Sequence, residues 1–485
     1  MHTRHRSHRS RPFTRRMALE QLEDRNLLSF LPAVNYDVGA GPWTVTVADL
    51  TGNGISDLVV PNENSGTMSI LLGNGDGTFQ PAVSYPAGSG AFSAAVGDFD
   101  GNGTPDLAVS DFYSNTVSIL LGNGDGSFQA PQSYATGSNP ITVLAADLTG
   151  TGTLDLAVAN ETANTVSILR GNGDGTFQAA QSYPTGTQTL NWMALGDFDG
   201  DGSPDLVCAN YNSPVVTVLL GNGDGSFQAP VSYSAGPFGS AYSVTVGDFH
   251  GDGILDLAVA NQLGFSEGMV SILQGNGDGS FQAPVSYPTG DQGPISVAVA
   301  DYNGDGIADL AVVNRGAGGN GNVGILLGNG DGSFQAATTY MVGAGPSFLV
   351  AGDFNGDGFP DLAVPNTNGG NAGTVSVLIN AADWGGGPPR APSTRGEHRI
   401  QPVAGQLAVA LPESVVQTNL AWDLPTADAV RSAMAIPEEA PAGEASQADT
   451  WPVQLSRTLG LQTRDTDSDA WGDPVVDVVG LSLLT

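Results

Sequence analysis

A motif of the form Asp-x-[Asp/Asn]-x-[Asp/Asn]-Gly-x-x-Asp, intact or eroded, returns seven times. Its first aspartate falls at Asp49, Asp98, Asp147, Asp197, Asp248, Asp301 and Asp353, at spacings of 49, 49, 50, 51, 53 and 52 residues. This period constrains the fold more than any single stretch does. A unit of about fifty residues cannot bury its apolar face alone and has to pack on its neighbours.

Each unit reads as four short strands. In the second, "AFSAAVGDF" (91–99), "DLAVS" (106–110), "NTVSILL" (115–121) and "QAPQSYATG" (129–137) are parted by Gly/Asn/Asp turns, an all-β pattern. No helical period runs between residues 30 and 380. Four strands per unit predict an all-β, seven-bladed β-propeller of four-stranded antiparallel blades. The first strand, rich in Ala, Gly and Val, suits the crowded axis. Phe79, Phe128, Phe177, Phe227, Phe281 and Phe334 recur at one phase and are expected to pack between blades.

The ends indicate how the ring closes. "FLPAVNYDVG" (30–39) copies the fourth strand of a unit, whereas the seventh unit stops after its third, "TVSVLIN" (374–380). The N-terminal strand is therefore expected to complete the last blade, which removes the open edges of a linear array. Three segments follow: a basic leader over 1–29, the propeller over 30–380, and a Gly/Pro-rich linker with an acidic tail over 381–485. Stretches such as "PEEAPAGEASQADT" (437–450) cannot bury enough apolar surface to fold, so the tail is expected to be largely disordered.

The 15 basic residues are all arginine against 49 acids, a formal net charge of −34. Six arginines lie in the first sixteen residues. Between 30 and 380 only Arg170 and Arg315 stand against 32 acids. A nucleic-acid groove needs clustered cations, so nucleic acid is excluded as a partner of the ring. No apolar run is long enough for a membrane-spanning helix. The single cysteine, Cys208, permits no internal disulfide and sits in an apolar run suited to the core.

Oxygens at positions one, three and five of the repeated loop converge on one point, and a glycine at six permits the bend. A backbone carbonyl at seven and a carboxylate at nine complete the hard-oxygen shell that Ca²⁺ takes. Four loops are complete: Asp98/Asp100/Asn102/Asp106, Asp197/Asp199/Asp201/Asp205, Asp301/Asn303/Asp305/Asp309 and Asp353/Asn355/Asp357/Asp361. A fifth, Asp248/His250/Asp252/Asp256, puts an imidazole at position three and is expected to bind more weakly. The first, Asp49/Thr51/Asn53/Asp57, carries less charge, and the third, Asp147/Thr149/Thr151/Asp155, is the poorest. Such residues also favour plain turns, yet four complete copies at one phase favour metal, with about four to five Ca²⁺ sites expected. A second motif, Gly-Asn-Gly-Asp-Gly-[Ser/Thr]-Phe, occurs six times with aspartates 76, 125, 174, 224, 278 and 331. It offers two side-chain oxygens per turn and leads into a strand, so it is read as a structural hairpin.

Strand order puts both Asp-bearing turns on one face and the variable loops on the other, the arrangement of a recognition surface. Trp43, Trp192, Phe112, Tyr113, Tyr211, Phe238, Tyr242 and Phe265 are the candidate contact aromatics on that variable face. His250 is the only histidine of the ring, so no His-rich zinc site forms, and the chain is expected not to be an enzyme.

"GDFDGDGSPDL" (196–206) and "VSILLGNGDGTFQ"-type segments resemble FG-GAP repeats, also called VCBS repeats, of the integrin-α-type seven-bladed propeller. The resemblance covers roughly 30–380. It implies calcium in the loops between first and second strands, an extracellular or cell-surface location, and adhesion to a protein or polysaccharide partner. A calcium-dependent lectin and a non-catalytic accessory domain of an extracellular enzyme system are the alternatives. The leader segment "MALEQLEDRNLLS" (17–29) resembles that of planctomycete-type surface proteins; it lacks a standard secretory apolar core.

Overall fold

Glycine and asparagine at the turns, and Val, Ile and Leu between them, cut the chain into strands of three to eight residues. The computed structural model describes residues 29–384 apart from 187–188, 237–238, 263–266 and 371. The leader through residue 28 and the tail from 385 lie outside the described residues. Seven sheets form, each of four antiparallel strands. Six take their strands in chain order. In the seventh, the N-terminal strand Val34–Ala40 pairs with Ala372–Leu378 as the outer strand of the last blade, with Tyr36 opposite Val375. The expected closure is the one observed.

The first strands of neighbouring blades touch all the way round, including those of blades seven and one. They are buried almost throughout, whereas the fourth strands are half exposed, so the first strand is the innermost. Small residues there let seven strands crowd together. The recurrent phenylalanines pack as expected, and Phe30 supplies the seventh. Each sits edge-on against a tyrosine of the preceding blade's outer strand, with centroids 5.3–5.8 Å apart: Phe79 on Tyr36, Phe128 on Tyr85, and so round to Phe30 on Tyr340. Edge-to-face pairs of this kind add about 0.5–1.5 kcal/mol each beyond the area they bury.

The axis is packed rather than open. Trp192 of blade four meets Phe348 of blade seven with ring centroids 5.8 Å apart, and both are fully buried. Because those blades are not neighbours, the two rings meet across the axis. On the variable face, Trp43 stacks on Phe92 and Phe92 on Phe112, while the Arg315 guanidinium lies 5.7 Å above Trp43. Cys208 is buried, and burial pushes its thiol up to about 12, which makes it unreactive.

One residue breaks the repeat from within. At the end of the second strand, or one residue before it in blade five, stands a buried asparagine in six blades (Asn62, Asn160, Asn210, Asn261, Asn314, Asn366) and Asp111 in blade two. Asp111 accepts from Gly88 N, Thr116 Oγ1 and Ser118 Oγ at 2.6–3.1 Å. Burial nonetheless pushes its carboxyl up to about 6, the hydroxyl and amide donors pulling the other way. A folded pKa above the unfolded value of about 3.9 means that stability from this group is full below pH ~4 and lost as pH rises through ~6. Asp111→Asn is therefore expected to stabilise the fold by about 1–2 kcal/mol at pH 7.5 and by nothing at pH 4. Urea unfolding at the two pH values checks it, and equal shifts at both contradict it.

Candidate functional site

Each Asp loop joins a first strand to a second, and its bend depends on glycine. In the fourth loop Gly200 and Gly202 adopt φ of 73° and 87°. Nothing lies within 4 Å of a Cβ built on Gly202; the left-handed backbone, not space, requires glycine there. The first aspartate folds back onto the loop. Asp98 accepts from Asn102 N at 3.0 Å and Gly103 N at 2.9 Å, and Asp301 accepts from Asp305 N and Gly306 N at 3.1 and 2.8 Å.

The ninth-position aspartate has a role that its reading as a metal ligand missed. In all seven blades it is buried, and its Oδ2 accepts from the backbone N–H that follows the first aspartate, at 2.8–3.1 Å. Its Oδ1 accepts from the residue that opens the turn after the third strand, at 2.7–2.9 Å. That residue is a glycine in six blades and Asn380 in the seventh. One carboxylate thus ties together both turns of its blade. The clue was in the sequence: Asp155 persists in the third loop, where positions three and five have become threonine.

Among the described residues, two loops bring three carboxylates within 4.8 Å of one another: Asp98/Asp100/Asp106 and Asp197/Asp199/Asp205. In the fourth loop Asp197 Oδ1 is shut off from water and has no hydrogen-bond partner. An orphaned carboxylate oxygen among two other carboxylates fits a hard divalent cation and little else. Asp201, Asn102 and a carbonyl at position seven would complete the respective shells. The sixth and seventh loops carry an amide at position three, and Asn303 and Asn355 donate to Asp305 and Asp357 at 2.9 Å.

The fifth set differs at position three. Its carboxylates, like those of the sixth and seventh loops, are not drawn together as those two triplets are. The His250 ring stands where a third-position oxygen would, with its Nδ1 2.7 Å from Asp256 Oδ2. Asp252 is exposed and caps its own turn: its Oδ1 accepts from Ile254 N at 3.0 Å, while its backbone N donates to Asp248 Oδ1 at 3.1 Å. The two eroded loops also satisfy themselves. Asp155 accepts from Thr149 Oγ1 at 3.0 Å, and Asp49 accepts from Asn53 N and Gly54 N at 3.1 and 2.6 Å.

Electrostatics sharpen the contrast. Burial raises the ninth carboxyl most, and like charge adds to it, from position one and, except for Asp57, from position three or five. Asp205, Asp309 and Asp361 are pushed up to about 7, Asp106 and Asp57 to about 6. A cation between these carboxylates would remove that repulsion.

The second motif closes on itself. Asp76 accepts from Thr78 N and Thr78 Oγ1 at 3.0 and 2.5 Å, and the other five turns repeat the pattern. These turns also clasp the neighbouring blade. Gly77 donates to Phe354 O, Gly175 to Phe99 O, Gly225 to Leu148 O, Gly279 to Phe198 O and Gly332 to Phe249 O, at 2.8–2.9 Å. Both Asp-bearing turns therefore share one face, and five of the seven loops are anchored to the next blade in this way.

On the opposite face the expected contact aromatics need correction. Trp43, Phe112, Trp192 and Tyr242 are buried, Tyr211 is half-buried against Tyr242, and only Tyr113 is well exposed, at 48 %. The buried ones pack within the ring instead of facing a partner, Trp192 against Phe348 across its axis. Phe238 and Phe265 lie outside the described residues. Glu63, which that reading missed, accepts from Trp43 Nε1 and from Tyr113 OH, tying the loops of blades one and two together.

A family model described as FG-GAP-like repeat matches residues 49–109, 105–158, 147–208, 197–259 and 251–312. A second, described as FG-GAP repeat, matches 344–378. Integrin alpha-V of Gallus gallus is 35 % identical over 143 residues, 27 % of this chain and 14 % of that relative's length. Among solved structures, an Agrocybe aegerita lectin described as recognising non-reducing terminal N-acetylglucosamine aligns over 73 % of this chain and 95 % of its own, at 22 % identity and a TM-score of 0.44. The V. cholerae biofilm matrix protein Bap1 aligns over 71 % and 88 %, at 14 % identity and a TM-score of 0.38.

Proposed function

The chain belongs to the FG-GAP-like repeat family, and from that premise we propose that it is a non-catalytic recognition module, braced by calcium, that acts outside the cell or at its surface. Calcium is held by the loops at Asp98, Asp197, Asp301 and Asp353, in which the first, third, fifth and ninth side chains supply the oxygens. The partner is a protein or polysaccharide bound by the variable face. The observation that carries the calcium reading is the orphaned Asp197 Oδ1 beside Asp199 and Asp205. The variable face is supported as the binding surface by its contrast with the other. The scaffold and the Asp-bearing turns repeat almost unchanged, while the loops joining second to third strands differ in every blade.

Two measurements test this. Calorimetric titration should count about four calcium ions per chain, and Asp199→Ala should remove one of them. A screen of polysaccharides and extracellular proteins should then find a ligand whose binding is lost in Asn64→Ala/Tyr113→Ser, two exposed residues of the second-to-third-strand loops of blades one and two, and kept in Asp76→Asn. The reverse pattern would move the partner to the Asp face and overturn the assignment.

A further inference from the structure

The acidic residues of the ring are not spread evenly. Of the 32 between residues 30 and 380, twenty lie in the seven Asp loops and six in the Gly-Asn-Gly-Asp-Gly turns. Only Asp37, Glu63, Asp111, Glu161, Glu267 and Asp291 lie elsewhere. Because the loops and turns interlock on one face, that face gathers 26 carboxylates against one cation, Arg170, whose Nη2 donates to Asp224 O at 2.6 Å. Even five divalent cations, +10 in all, would leave its formal charge near −15. Its negative character therefore does not depend on the calcium reading.

The chain carries one strongly cationic segment, and the described chain begins after it, at Ser29 and Phe30, on this face. Arg4, Arg6, Arg9, Arg11, Arg15 and Arg16 precede the first acid, Glu20. Ser29 accepts from Ala381 N at 2.7 Å, and Phe30 packs 6.0 Å from Tyr302, the second residue of the sixth Asp loop. Asn380, bridged to Phe30, donates to Tyr302 O at 2.8 Å and to Asp361 Oδ1 at 2.7 Å. The chain thus passes between the sixth and seventh loops as it joins the last blade. Twelve residues, thirteen Cα-to-Cα steps, link Arg16 to Ser29, a reach of up to ~45 Å. A four-stranded blade is ~15 Å across, so several blades lie within that reach. The opposite face offers few acids and carries Arg315.

We propose that residues 1–16 dock in cis on the Asp-loop face, their guanidinium groups pairing with carboxylates of the loops and turns. Arginine suits this, because its planar fork takes a carboxylate through two hydrogen bonds at once. Contacts of this kind are screened over about 8 Å at physiological ionic strength, so the segment has to lie against the face and not merely near it.

The absence of lysine makes the contact directly readable. Arg9→Lys/Arg11→Lys in the full chain keeps the charge and introduces the only side-chain amines. Zero-length carbodiimide coupling in metal-free buffer, read by peptide mass spectrometry, then reports which carboxylates touch them. The expected partners are loop and turn aspartates such as Asp76, Asp305 and Asp357. Their yield should fall at least tenfold between 50 mM and 1 M NaCl. Coupling confined to acids of residues 385–485, or to Glu63 and Asp291, overturns the proposal. So does coupling between isotopically light and heavy copies, which would place the segment on a second molecule. Because no calcium is present, failure here leaves the calcium reading untouched, and a failed calcium titration leaves this result standing.

Discussion

Asp155→Ala is expected to destabilise the propeller by about 3–5 kcal/mol, although its loop is the one least suited to hold a metal. Asp155 is fully buried and accepts from Leu148 N at 3.1 Å, Gly171 N at 2.9 Å and Thr149 Oγ1 at 3.0 Å. Removing it strands the half-buried Gly171 N–H and leaves the buried Leu148 N–H only its 3.1 Å bond to Ala146 O, and an orphan costs roughly 1–3 kcal/mol. Asparagine is no substitute. Both ends of the side chain face N–H donors, and an amide presents an acceptor at one end only, so Asp155→Asn should lose about half as much. Asp147, at position one of the same loop, accepts from the exposed Thr151 N and Gly152 N. Water can replace it there, and Asp147→Ala should stay within about 1 kcal/mol of wild type. Urea unfolding of all three variants in a calcium chelator measures the series. An Asp155→Ala protein as stable as Asp147→Ala would show that the ninth aspartate is not the tie between the two turns.

The fold was legible because its determinants are local and repeated. The turn glycines, the Phe and Tyr at fixed phase and the spare outer strand at 30–39 each appear in the sequence in the order the ring uses them. What sequence could not separate was two duties carried by one residue type. Position nine looks like a ligand because aspartate is what both a cation and a pair of N–H donors select. Only the distances from Asp57, Asp155 and Asp256 to backbone nitrogens reveal the second duty. The aromatics were misplaced for a related reason. Trp43, Trp192 and Tyr242 stand at the ends of first strands, where residues either reach a partner or pack within the ring. The choice is settled by residues far away in sequence, such as Phe348 opposite Trp192. His250 was read as a poor ligand, and the structure adds what it does instead. It pairs with Asp256 and fills the space over Gly332, which leaves Asp252 to its own turn.

Excess EGTA is expected to lower the melting temperature by about 15 °C. At calcium a hundredfold above its dissociation constant, each site adds ~2.7 kcal/mol, so four sites add ~11 kcal/mol. A ring of about 350 residues unfolds with an entropy of roughly 0.7 kcal/mol per kelvin, which converts that energy into the stated shift. A change below about 2 °C would sink the calcium reading. Two variants of the fourth loop then divide the duties of its carboxylates. Asp199 accepts only a long bond from Asp201 N, 3.3 Å, whereas Asp205 holds Phe198 N and Gly221 N at 2.8 and 2.7 Å. Asp199→Ala should therefore melt with wild type in EGTA and about 4 °C below it in calcium, one site's share of the total. Asp205→Ala should melt lower in both, because the turns it joins come apart with or without the ion. If Asp199→Ala is already unstable in EGTA, the third position also serves the fold. If both variants match wild type in calcium, the loop holds no cation, and its cluster of carboxylates persists only through the backbone donors around it.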